Sequence, residues 1–534
     1  MTVSIETIIA VCVYLVIVSY LGYLGYSKTK TPSDYYVGGR KTHPYIMALS
    51  YGATFISTAA IIGFGGAAAT FGLGLLWLTF LNIFVGIFVA FLFFGKRTHQ
   101  MARNLNTQTF PELLSKRFNS PFIKKYAGIL IFIFMPLYAA AVMMGAATFL
   151  KTFFDIDYTL ALLFFAIIVA LYVSMGGIKG VLYTDAFQGT IMIVCMLILL
   201  IFTYSQLGGV TSAHESLDGL MNIPAVQTQT AGMTAGGFLG WTSMPEFGSP
   251  LWFTLVSSIV MGVGIGVLAQ PQLAVRFMMV ESKKDLNRAV PIGGFFILLM
   301  TGVAFVVGAL SNVFFFNDSG QIATVAAGGG DNVIPTFIKQ FMPSWFGIIF
   351  LICMLSAAMS TLSSQAHAMG TSLSKDILSV KKSNRSNWLP KLGVLIAIVL
   401  TTLLAYYLPK LNVSLIIAAG TALFFGLCAA SFLPMYIGAL FFKKMPKAAA
   451  IAGMMTGSIT SIFWMLFVHS AESSKLMLCK LIFGVDSLAA GNILSSYDPI
   501  FIALPLAAIV TIAVSLISKK KLDDKHIETV FESI

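Results

Sequence analysis

Apolar residues along this chain fall into runs of roughly 20 or more, the length at which a helix rising about 1.5 Å per residue crosses about 30 Å of hydrocarbon. The pattern predicts about 13 membrane-spanning helices. The first seven cover Ile5 to Tyr26, His43 to Thr70, Leu73 to Gly95, Tyr126 to Leu150, Tyr158 to Ser174, Val181 to Tyr204 and Leu251 to Val275. The remaining six are Pro291 to Phe316, Trp345 to Ser374, Leu392 to Leu408, Val413 to Phe441, Ala448 to Val468 and Ile500 to Ser518.

The polar stretches between the runs test this count, because one missed or false helix would exchange the sides of every later loop. With the N-terminus outside, about 28 of the 33 Lys and Arg residues fall on the inner side. They include Lys28 to Lys41, Lys96 to Lys125, Arg276 to Arg288, Lys381 to Lys391, Lys443 to Lys447 and Lys519 to Lys525. The segment from Gly208 to Pro250 has no Lys or Arg and carries Glu215, Asp218 and Glu246, as an outer loop should. Between Lys96 and Lys125, Phe110, Leu113, Leu114 and Phe118 would line one face of a short helix, expected on the inner membrane surface. Met1 to Ile5 carries no basic segment of a cleaved signal, so the first span is expected to stay.

Composition agrees with the span pattern: 57% of residues are hydrophobic, 10% are charged and the mean hydropathy is +0.88. A soluble surface needs more charge. The net charge of +12 follows from topology and does not point to nucleic acid. Cys12, Cys195, Cys353, Cys428 and Cys479 lack metal-ligand spacing, and no nucleophile with a base stands at usable spacing, so an enzyme is not expected. The sequence after Ser518 is too short for a signalling domain, which argues against a sensor.

Inside lipid, glycine, proline, hydroxyl and charged residues are the informative ones. In the second span, Ser50, Gly52, Thr54, Ser57 and Thr58 interrupt the apolar run of "ALSYGATFISTAAIIGFGG". They suit either a broken helix that exposes backbone oxygens or close packing of small residues. Five spans later, Gly262, Gly264 and Gly266 precede Gln270 and Pro271, and Pro271 removes an amide donor mid-helix. Such paired interruptions are expected where each of two inverted repeats begins with a discontinuous helix.

In the ninth span, Ala357, Ser360, Thr361 and Ser364 share one helical face, with Ser363 beside it. This hydroxyl stripe could hold a hard monovalent cation or bond back onto its own helix. Asp185 lies inside the sixth span about a turn from Val181, so it meets either a cation or interfacial water. His99, His214 and His469 fall in loops or at a span end, His367 reads as a packed neutral side chain, and Arg276 is expected to snorkel to the basic side.

The segments "DYYVGGR", "GGIKGVLYTDAFQG", "QPQLAVRFM" and "LSAAMSTLSSQ", in that order, resemble the sodium/solute symporter family over most of the chain. The resemblance implies an all-α polytopic protein with a LeuT-type core of two inverted repeats and broken helices, working by alternating access. Residues 1–42 would form the first helix and an inner loop, 43–442 the ten-helix core, 443–518 two further helices, and 519–534 a cytoplasmic tail. Together they make a single transport domain in the plasma (cell inner) membrane, surrounded by lipid and sufficient as a monomer.

Carried onto this sequence, the family's main sodium site would use backbone oxygens of Ala53, Ile56 and Ala357 and the hydroxyls of Ser360 and Thr361. A second sodium would be held by Asp185, Ser360, Ser363 and Ser364. The small organic solute would lie near Phe55, Ser57, Thr58, Val263, Val267 and Gln270. Proline carriers tend to have an acid where Phe55 stands, and the uncharged, apolar surroundings look closer to the pantothenate and monocarboxylate branch. Sugars, sialic acid and proton coupling through Asp185 remain open.

Overall fold

In the computed structural model the described residues are 4–174, 178–378, 388–411, 413–518 and 522–534. Among them regular structure is helical, with one isolated bridge between Thr42 and Val280. Gly176 and Gly177 of the second motif, most of the loop beginning at Lys381, and Lys519 to Lys521 lie outside the described residues.

Among the described residues eleven helices are long and apolar enough to cross a membrane, and one of them, Ala59–Asn104, has 46 residues. That is about 69 Å if straight, twice the hydrocarbon thickness. The chain folds back at Gly72, whose φ of +72° and ψ of −155° no side chain favours. Beyond the bend, Tyr51 donates to the Gly86 carbonyl at 2.9 Å, which puts the third span alongside the second. With the shorter apolar helix Tyr158–Val173, each of the 13 expected spans has a helical counterpart.

Local chemistry sets many of the helix ends. Pro44 and Pro121 occupy first-turn positions where the missing amide costs nothing. Ser282 and Asp285 form a reciprocal capping box at the start of Lys283–Ser319. The most apolar stretches of Ser344–Ile377 and Ile416–Phe441 are 83% buried, against 22% for the first and last spans. The ninth and eleventh spans therefore form the centre, and the first and thirteenth face lipid.

One expectation for the loops is overturned. Phe110, Leu113, Leu114 and Phe118 are fully buried, and Phe110 meets Phe432 and Tyr436 edge-on. The short helix Phe110–Arg117 thus packs into the protein instead of lying on the membrane surface, because the fourth and eleventh spans cover its apolar face.

The tail is also docked. In Asp524–Phe531, Val530 is buried, and Phe531 lies against the guanidinium of Arg117 at 4.9 Å. Asn104 donates to the carbonyls of Val530 at 3.2 Å and Glu532 at 2.8 Å. Phe531→Ala should cost about 3 kcal/mol by leaving a cavity at this junction. Thermal unfolding in detergent would read that as a lower midpoint.

Candidate ion and solute site

The second span stops being a helix at Ile56, where φ is −90° and ψ is 113°, although its amide still reaches the Gly52 carbonyl at 2.7 Å. A break at this point leaves the last carbonyls of Pro44–Phe55 without helical donors. The ninth and fourth spans supply replacements. Ser360 donates to the Ala53 carbonyl at 2.8 Å, Thr361 to those of Ala53 at 3.3 Å and Thr54 at 3.1 Å, and Tyr138 to that of Phe55 at 3.3 Å. Ser360 also lies 3.3 Å from the Ala357 carbonyl of its own helix.

Ala53, Ala357, Ser360 and Thr361, expected at the main sodium site, therefore converge, and Ile56 is the residue at which the helix opens. The cluster is buried, and its polar groups are neutral oxygens. Hard monovalent cations favour such ligands, and carbonyls and hydroxyls do not change charge near neutral pH.

A second polar cluster is joined to the first through Thr54. Asp185 Oδ2 accepts from Ser50 at 2.7 Å and Thr54 at 3.3 Å, and Thr54 lies 3.0 Å from the Ser364 hydroxyl. Arg276 Nη2 completes the cluster, 3.0 Å from Asp185 Oδ2, 2.6 Å from Ser364 and 2.5 Å from Thr54. Of the residues expected at a second sodium site, Asp185 and Ser364 come together here. Ser360 faces Ala53, and Ser363 bonds back to the Ser360 carbonyl at 3.1 Å.

Arg276 does not snorkel: it is 1% exposed. The reason lies in the second break. Gln270 is extended at φ −73° and ψ 117°, the helix restarts at Pro271, and a tight turn over Val275–Met278 follows. Arg276 Nη1 then folds back onto the Gln272 carbonyl at 2.7 Å, which directs the side chain into the protein. The fully buried pair with Asp185 replaces hydration with opposite charge, as a buried ion requires. The sequence signal was a basic residue five positions after a mid-span proline.

Next to the first break lies a small cavity, lined by Phe55, Ser57 and Val263 of the expected solute residues. Asn82, Tyr138, Thr301, Phe305, Thr421 and Phe425 also line it, from spans the sequence did not connect to the solute. Asn82 Oδ1 is buried without a hydrogen-bond partner, an open acceptor that local pattern could not reveal. The other three expected solute residues face elsewhere. Thr58 donates to the Val142 carbonyl at 2.5 Å, Val267 packs beside Gly86, and Gln270 accepts from Gln272 at 3.1 Å.

The sodium:solute symporter family profile matches residues 35–457. A relative named sodium/proline symporter, from Staphylococcus aureus strain JH9, is 26% identical over 537 residues, covering 96% of this chain and 93% of its own length. The solved structure of a sodium-coupled sialic acid symporter in a substrate-bound, outward-open state superposes with a TM-score of 0.73 at 18% identity. It covers 98% of this chain and 99% of that one. The fold is accordingly the LeuT-type inverted repeat with broken helices. The chain belongs to the sodium:solute symporter family and is a multi-pass membrane carrier that moves a solute together with sodium.

Proposed function

We propose that this carrier takes up a small organic solute bearing a carboxylate, driven by inward sodium movement and working by alternating access. The N-terminus lies outside, the C-terminus in the cytoplasm, and the membrane is the plasma membrane. One sodium is held by the carbonyls of Ala53, Ile56 and Ala357 and the hydroxyls of Ser360 and Thr361. The observation that supports this most is the supply of ninth-span hydroxyls to the carbonyls freed by the second-span break, at 2.8 to 3.3 Å.

The solute occupies the cavity beside Phe55, Ser57 and Val263, with Thr58, Val267 and Gln270 shaping its surroundings. No Lys, Arg, Asp or Glu is among the residues lining that cavity. A carboxylate there is balanced by the nearby sodium and by the positive end of the half-helix beginning at Thr58. Asp185, with Ser360, Ser363 and Ser364, is the candidate for a second sodium. The uncharged lining favours a monocarboxylate or pantothenate, while the names of relatives favour proline, whose ammonium would find no acid there.

Proteoliposomes screened with labelled pyruvate, acetate, pantothenate, proline, glucose and sialic acid, with and without a sodium gradient, separate these readings. Sodium-dependent uptake of pyruvate, acetate or pantothenate, left intact by excess proline, supports the carboxylate reading. Uptake of proline alone would end the monocarboxylate and pantothenate reading. Phe55→Ala should raise the KM for the solute about tenfold, a loss of about 1.4 kcal/mol of apolar contact, and leave sodium half-saturation unchanged. Initial-rate kinetics at saturating sodium would check this.

A further inference from the structure

Arg276 supplies the only positive charge the structure brings against Asp185 among the described residues. Its guanidinium takes the carboxylate and three hydroxyls at once: Nη2 serves Asp185, Thr54 and Ser364, and Nε lies 3.2 Å from the Ser50 hydroxyl. These oxygens are the set that a small cation beside Asp185 would use. Asp185 Oδ1, meanwhile, is buried without a hydrogen-bond partner.

The arginine borders a small cavity also lined by Gln272, Thr109 and His367. The Gln272 side-chain oxygen is buried without a partner and could accept a displaced guanidinium. Sodium and guanidinium together on one carboxylate would leave a net positive charge in a fully buried site, an arrangement that costs several kcal/mol. Either cation alone leaves the site neutral.

We propose that Arg276 is a tethered counter-cation: its guanidinium and a sodium ion are alternative occupants of the Asp185 site, and their exchange releases or holds the inner half of the seventh span. This rests on the reading of Asp185 as a sodium residue. Because Arg276 lies just beyond the break at Gln270, its release frees the short helix Pro271–Ala274 from the second, sixth and ninth spans together. Sodium arrival is thereby tied to movement on the inner side.

A tethered competitor lowers apparent affinity by the fraction of time it occupies the site. Binding of radioactive sodium to purified protein, without solute, tests this in wild type, Arg276→Lys, Arg276→Gln and Ser360→Ala. Arg276→Gln should tighten one sodium-binding event by about tenfold or more, and Arg276→Lys, which keeps a cation, should stay near wild type. Arg276→Gln could fold poorly with Asp185 unpaired, so thermal unfolding is measured beside binding. The proposal predicts that sodium raises its midpoint more than that of wild type, because sodium becomes the partner of Asp185.

The double variant Asp185→Asn with Arg276→Gln should lose this extra response. If Arg276→Gln binds sodium with wild-type affinity and stoichiometry, or melts lower with no gain from sodium, the pair is a structural tether and the proposal is overturned. That failure is distinct from failure of the sodium reading itself. Wild type that binds no sodium, or binds it undiminished in Ser360→Ala, would overturn the main site instead and the exchange with it.

Discussion

Sodium-driven uptake is expected to collapse when Ser360 is replaced by alanine. The hydroxyl bridges the freed carbonyl of Ala53 at 2.8 Å and that of Ala357 at 3.3 Å, so its loss removes one ligand and leaves a buried carbonyl less well satisfied. An oxygen's contact with a charged group is worth about 1.5–3 kcal/mol, so losing this ligand lowers sodium affinity by about 10- to 150-fold. Uptake rate measured against sodium concentration should therefore shift far to the right, with little transport left at ordinary sodium levels. Ser374→Ala serves as the control on the same span. Its hydroxyl bonds back to the Gly370 and Thr371 carbonyls, away from the proposed sodium sites, so a change of less than about threefold is expected.

The largest loss of stability should come from Gly72→Ala. The bend between the second and third spans uses φ +72° with ψ −155°, a conformation open to glycine and costly for alanine by about 1–3 kcal/mol. A β-carbon there would also stand 2.0 Å from the Trp241 carbonyl oxygen, which itself accepts the Leu73 amide at 2.7 Å. Neither backbone can yield without the other. The segment holding Trp241 would have to lift away, and Trp241 Nε1 would lose its bond to the Ala69 carbonyl at 2.8 Å. Strain and clash together should exceed about 3 kcal/mol. Thermal unfolding in detergent would show a midpoint several degrees lower, and a midpoint equal to wild type would mean that this segment does not grip the bend.

Why some of this was readable and some was not follows from the period of the signals. Span length and loop charge are properties of contiguous sequence, so each of the 13 spans has its counterpart, and both breaks lie where paired interruptions put them, at Ile56 and Gln270. The hydroxyl stripe was equally legible, because Ser360, Thr361 and Ser364 share a face whatever that face meets.

What could not be read is which distant segments complete a site. Asn82, Tyr138, Thr301 and Phe425 line the cavity beside the first break from four other spans, and nothing in their own neighbourhoods marks them. Thr58 was placed near the solute by the family resemblance. Its direction is set by the half-helix that follows the break, and it turns to Val142. Arg276 was misread for a related reason. Snorkelling assumes that a helix continues to the interface, whereas the chain here breaks six residues earlier and turns inward. The apolar face of Phe110–Arg117 shows the same ambiguity, since an amphipathic pattern suits lipid or protein equally well.

The measurement that bears most directly on the central claim is uptake of labelled solute into proteoliposomes of wild-type protein, with sodium outside and potassium inside, compared with potassium on both sides. The account predicts accumulation above equilibrium only with the sodium gradient, abolished by a sodium ionophore and unaffected by collapsing a proton gradient. Accumulation that followed the proton gradient and ignored sodium would contradict it.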